Sequence, residues 1–164
     1  MHHTLMVFLV QLRRSYNMGF LGVDTSNYTT SFAFFDGNDI FQVKKLLPVK
    51  EGEKGIRQSD AVFHHTKAYP DLLKELLAQS GNKIDAVGVS VKPTTQDGSY
   101  MPCFLVGESV ATAIAESLGV KLFRFSHQQG HIAAALYSAN KTELLNRKFL
   151  AFHLSGGTTD LVLC

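Results

Sequence analysis

The sequence predicts an α/β lobe built on a mixed sheet, in the order β-β-β-α-β-α-β-α, followed by a hairpin. Three observations predict it. Residues 18–49 hold three runs of β-branched and aromatic residues broken by turn formers. From residue 59 onward, helical repeats alternate with short apolar strands, the pattern of crossover units in a sheet covered by helices. Residues 148–164 then revert to strand, Gly-Gly turn and strand.

The elements follow in order. GFLGVDTS reads as a buried strand ending near Ser26, NYT as a turn and TSFAFFD as a second strand. Asp36-Gly37-Asn38-Asp39 is a strong hairpin signal, because these residues accept the backbone angles of a tight turn. IFQVKKLLPV is a third strand, frayed at Pro48. After a polar loop, Ser59 to Gln79 reads as a helix with Leu72, Leu73, Leu76 and Leu77 at helical spacing, and Pro70 predicts a break or two shorter helices. Gly81 stops it.

IDAVGVSV is a buried strand and KPTTQDGSYMP an irregular loop. Phe104 to Leu118 is a helix of small residues stopped by Gly119, within which Gly107 allows close packing. VKLFRFS is a strand, His127 to about Tyr137 a helix that could extend through Leu145, and KFLAFHLS and TTDLVLC the strands of the final hairpin. Three hairpin strands followed by alternation is, by analogy, the ribonuclease-H-like arrangement of an actin-like lobe. Residues 1–17 are expected to be an extension, 18–147 the first lobe, and 148–164 the opening hairpin of an incomplete second lobe.

Composition narrows the function classes. A formal net charge of +2 gives no field that would by itself attract nucleic acid or acidic membranes. The run LMVFLVQL is too short to span a bilayer. Cys103 and Cys164 lie far apart and form neither a CxxC pair nor a disulfide framework, which fits a reducing cytoplasm.

The candidate chemistry lies in three places. In His127-Gln-Gln-Gly-His131 the histidines stand at i and i+4, on one helix face, where two imidazoles can reach one metal ion. The same residues also fit a plain helix start capped by Ser126. A catalytic metal needs a further ligand, for which Asp24 is a local candidate. His64 and His65 point to different sides of a helix and read as loop or helix-surface residues. Ser155-Gly156-Gly157-Thr158 is a turn whose backbone N–H groups and hydroxyl can cradle an anion. Asp24-Thr25-Ser26, ending a buried strand, can hold a magnesium-phosphate group through water.

Taken together, LGVDTSNYTTS, SHQQGHIAAAL and HLSGGTTDL, with IDAVGVS and FLVGESVATAIAESLGV between them, resemble the threonylcarbamoyl-adenosine synthase (TsaD-type, glycoprotease-like) family from about Met18 to Cys164. The resemblance implies a two-lobed actin-like fold and a tRNA-modifying transferase working with partner proteins. It implies ATP or an acyl-adenylate in the cleft, and one iron or zinc held by His127, His131 and an aspartate of the second lobe. Asp24, Thr25, Ser155, Gly156, Gly157 and Thr158 would then contact the nucleotide. The chain departs from the family pattern at Tyr28 and Thr29, where an acidic pair is usual, in the loop KPTTQDGSYMP, and at Thr158, where histidine is usual. These departures mark a divergent member and leave open a non-catalytic scaffolding paralog, with an actin-like ATP phosphotransferase or hydrolase as a third reading. The hairpin's unpaired strand edges also predict a homodimer of this stretch, which without a second lobe is expected to be inactive.

Overall fold

A computed structural model describes residues 18–49, 52, 55–80, 83–154 and 159–164. Residues 1–17, the predicted helix stop Gly81 and the segment Ser155-Gly156-Gly157-Thr158 lie outside the described residues. The element order is β1 (Phe20–Asp24), β2 (Thr29–Phe35), β3 (Ile40–Leu46), α1 (Gln58–Ser80), β4 (Ala86–Lys92), α2 (Phe104–Leu118), β5 (Lys121–Ser126), α3 (His127–Ser138), a 3-10 turn at Thr142–Asn146, β6 (Leu150–Leu154) and β7 (Thr159–Leu163). The predicted order is thus present.

Five strands form one sheet in the order β3-β2-β1-β4-β5, and β6 and β7 form a separate two-stranded sheet. β1 runs antiparallel to β2 and parallel to β4, and β4 runs parallel to β5. The parallel pairs need long crossovers, which α1 and α2 supply. Asp36 makes the first hairpin: its Oδ1 accepts from the N–H groups of Asn38 at 2.8 Å and Asp39 at 2.7 Å. Gly37 takes the positive φ of 100° that the turn requires.

The two-residue period of a strand sorts the side chains onto two faces. Leu21, Val23, Phe32, Phe34, Val43, Val87 and Val89 point one way and form the main core with Leu72 and Leu76 of α1 and Ala111 and Ala115 of α2. The opposite face carries Phe20, Gly22, Asp24, Gly88 and Ser90. α3 packs over that side against β4 and β5. Small and polar residues therefore stand where the histidine helix comes down.

Three expectations are corrected. α1 is one continuous helix despite Pro70. Ala61, His65, Ala68, Leu72 and Leu76 are buried on either side of the proline, so both halves are held on one sheet face. Pro70 and Thr66, whose carbonyl loses its partner, are both exposed to water. The helix from His127 stops at Ser138, short of Leu145, and Asn140 adopts a left-handed φ of 53° just beyond it. His65 is a core residue and not a surface one: it is fully buried and its Nδ1 lies 2.8 Å from Thr30 Oγ1.

Candidate metal centre

The centre is built where β1 ends and α3 begins. β5 runs directly into α3, and Ser126 stops the strand with a capping box: its Oγ accepts from the Gln129 N–H at 3.2 Å, and Gln129 Oε1 accepts from the Ser126 N–H at 2.9 Å. A second tie fixes the helix start, the Gln128 N–H donating to Pro93 O at 2.9 Å. The first turn of α3 is thereby fastened to the sheet, and with it His127.

His127 is held from behind by Asp24. The Asp24 Oδ2 lies 2.9 Å from His127 Nδ1, and Asp24 Oδ1 accepts from the Ser26 N–H at 2.8 Å. Burial alone would raise the Asp24 carboxyl, but the hydrogen bond and charge of His127, with bonds from Ser26 and Ser90, outweigh it and lower its pKa to about 2. The carboxylate is therefore ionised across the physiological range.

The opposite nitrogen of His127 faces His131. The two Nε2 atoms lie 2.8 Å apart, and the ring planes stand at 83°. Desolvation, followed by the neighbouring His127, lowers His131 to a pKa of about 4, so its imidazole is neutral at pH 7. A neutral imidazole whose Nε2 converges with a second one is the donor set that a borderline divalent cation takes. A ring held through Nδ1 by a carboxylate is the usual outer support for such a ligand. Zinc-type bonds of about 2.0–2.1 Å need the two nitrogens roughly 3.3 Å apart, so the pair could hold such an ion only if it opened by about 0.5 Å. Among the described residues, no third His, Cys, Asp or Glu completes a group of three able to hold a metal. Asp24, the local candidate for a third ligand, instead occupies the far nitrogen of His127.

Thr25 turns inward. Its hydroxyl donates to Cys103 O at 2.9 Å and accepts from the Gly107 N–H at 3.1 Å, and the residue is buried. Any contact between Thr25 and a nucleotide is left to its backbone. A Cβ on Gly107 would stand 2.7 Å from that hydroxyl, so glycine is what lets α2 approach β1. Ser155, Gly156, Gly157 and Thr158 fall outside the described residues.

Two residues that sequence reasoning missed lie on the hairpin beside the centre. The His153 ring centroid is 5.7 Å from that of His131, and its Nδ1 lies 3.7 Å from Asp160 Oδ2. His153 and Asp160 are cross-strand partners in β6 and β7. The lone histidine gave no spacing signal, since its neighbours come from a different element. Gln128, also unremarked in the sequence, is buried and reaches Asp160 Oδ2 at 3.4 Å. Next to the centre, a cavity of about 310 Å³ is floored by Gly22 and Gly88 and walled by Gln128, Ala133, Phe149 and Leu163.

The family model described as "TsaD: tRNA N6-adenosine threonylcarbamoyltransferase" matches residues 42–164. The tRNA N6-adenosine threonylcarbamoyltransferase of Ralstonia pickettii (strain 12J) is 30% identical over 148 residues, 87% of this chain and 40% of that protein. The protein of the same name from Pyrobaculum arsenaticum is 32% identical over 143 residues, 85% of this chain and 40% of its own length. That from Streptococcus pneumoniae (strain CGSP14) is 30% identical over 145 residues, 87% and 41% respectively. The chain thus spans about two fifths of the length of these relatives. Among solved structures, YeaZ from Pseudomonas aeruginosa matches with a TM-score of 0.52 at 13% identity, covering 88% of this chain and 64% of that one. At that identity the likeness carries the fold alone, in agreement with the actin-like lobe expected from the element order.

Proposed function

The chain belongs to the tRNA N6-adenosine threonylcarbamoyltransferase (TsaD) family, and from that premise we propose that it supplies the histidine half of a metal-dependent centre for transfer of a threonylcarbamoyl group to an adenosine of tRNA. The observation that carries the reading is the convergence of His127 Nε2 and His131 Nε2 at 2.8 Å, with Asp24 behind the first ring. Iron or zinc bound there would supply a Lewis acid that favours negative charge on an acyl or phosphoryl oxygen. His127 and His131 would be its ligands, and Asp24 would fix the tautomer of His127 by accepting the Nδ1 proton.

An acyl-adenylate or ATP would lie beside the Asp24–Thr25 turn, and the sequence Ser155-Gly156-Gly157-Thr158 is of a kind that suits a phosphate. The remaining metal ligand, the opposing cleft wall and the tRNA and protein contacts would come from a second lobe and from partner proteins. This stretch by itself is therefore expected to bind metal without completing the transfer. Work on tRNA implies a cytoplasmic setting, and no helix among the described residues is long and apolar enough to cross a membrane.

The test is metal content. Titration of the purified chain with zinc or ferrous ion should show one equivalent bound, and His131→Ala should abolish it. Equal metal binding by the wild type and by His131→Ala would sink the proposal.

A further inference from the structure

The carboxylate behind His127 has a counterpart on the hairpin. His153 and Asp160 are cross-strand partners on the side of β6 and β7 that faces α3. His153 Nδ1 lies 3.7 Å from Asp160 Oδ2. The same Oδ2 accepts from the Nε2 of buried Gln128 at 3.4 Å, which ties Asp160 to the histidine helix. His131 thus has two imidazole neighbours, His127 at 4.3 Å and His153 at 5.7 Å between centroids, and each has a carboxylate at its Nδ1.

The two pairs differ in what the second nitrogen meets. His127 Nε2 converges with His131 Nε2. His153 completes no group of three able to hold a metal among the described residues. Its Nδ1 is buried with no hydrogen-bond partner among those residues. The nearby negative charge of Asp160 therefore favours the ring proton on Nδ1 and leaves the lone pair on Nε2. The side chain is 23% exposed although Nδ1 is covered, so access is through the rest of the ring, where Nε2 lies.

We propose that His153 is the general base of the transfer and that Asp160 is its positioning residue; the inference rests on the reading under Proposed function. Acylating an amine releases a proton. The N6 amine of the acceptor adenosine bonds to the carbamoyl carbon, and the bond from that carbon to the adenylate's phosphate oxygen breaks. The adenylate leaves with that electron pair, and one N6 proton passes to His153 Nε2, which returns it to water. The amine becomes acidic only as the new bond forms, which is where a positioned acceptor acts. His127 and His131 direct their Nε2 atoms at the metal position, and Asp24 is engaged by His127 and Ser26. His153 is the imidazole left for the proton.

Single-turnover transfer from threonylcarbamoyl-adenylate to tRNA by the complete protein and its partners tests this. His153→Ala should slow it by about 100- to 10,000-fold, and Asp160→Asn by a smaller factor. Both variants should still hold one equivalent at saturating zinc. Added imidazole should restore part of the rate to His153→Ala, and more basic imidazoles should restore more. In the chain itself, nitrogen-15 spectra at roughly pH 9, where imidazole is neutral, should show His153 protonated on Nδ1, and Asp160→Asn should weaken that preference. A wild-type rate in His153→Ala would overturn the proposal. So would a slow variant indifferent to imidazole, or one that has lost its zinc, which would make His153 a ligand. None of these outcomes touches the metal reading, which fails instead if His131→Ala keeps its metal.

Discussion

Asp24 Oδ2 and His127 Nδ1 lie 2.9 Å apart, and this contact joins the end of β1 to the start of α3 across 103 residues of sequence. It assigns the ring's two nitrogens different tasks: Nδ1 anchors to the sheet and Nε2 is aimed at His131.

Removing that anchor should loosen the centre without destroying it. Asp24→Ala is expected to weaken zinc binding by about 10–100-fold, the usual effect of losing an outer carboxylate. Isothermal titration of the variant checks this, and an unchanged affinity would show that the carboxylate does not support the ligand.

His153 stands beside His131 with Asp160 at its back. His153→Ala should lower metal affinity less than His131→Ala does, and it should alter the absorption bands of the cobalt-substituted protein. A cobalt spectrum identical to wild type would place His153 outside the ion's surroundings.

Gly107→Ala should destabilise the lobe by about 1–3 kcal/mol, as overpacking does in tight cores. The added methyl would meet Thr25 Oγ1 at 2.7 Å and Val23 Cγ1 at 3.5 Å. Urea unfolding measures the loss; a neutral result would mean that α2 can retreat freely from β1.

Acid should destabilise the protein through His65. Burial lowers its pKa to about 4 from 6.5, so its contribution is fully present above pH 6.5. It is lost as pH falls from 6.5 toward 4, because the unfolded chain takes up the proton first. The full swing is ~3 kcal/mol for this group. Comparing urea midpoints at pH 7 and pH 4.5 tests it, and His65→Gln should reduce the dependence to the share that His131, also lowered to about 4, contributes.

The order of elements was legible because its signals are local. Turn formers at 36–39, small residues in α2 and β-branched runs in β1 and β4 each act within a few positions. The i, i+4 histidines were legible for the same reason. What escaped was set by contacts between distant segments. Pro70 signalled a break, yet the buried residues on both sides of it outweigh a local cost of ~3 kcal/mol. His65 looked like a surface residue because adjacent histidines leave open which one faces the sheet; the phase of α1 on β2 decides it. The roles of Asp24 behind His127 and of His153 beside His131 depend on strand order and hairpin placement, which no short motif encodes.

Thr25 follows Asp24 in the chain, and its hydroxyl is gripped from two sides by the start of α2, at Cys103 and Gly107. The imidazole pair is therefore in mechanical series with a helix on the reverse side of the sheet. A displacement of α2 would bear first on Thr25, the chain neighbour of the carboxylate that holds His127. The aim of those rings is set from behind the sheet as much as from in front of it.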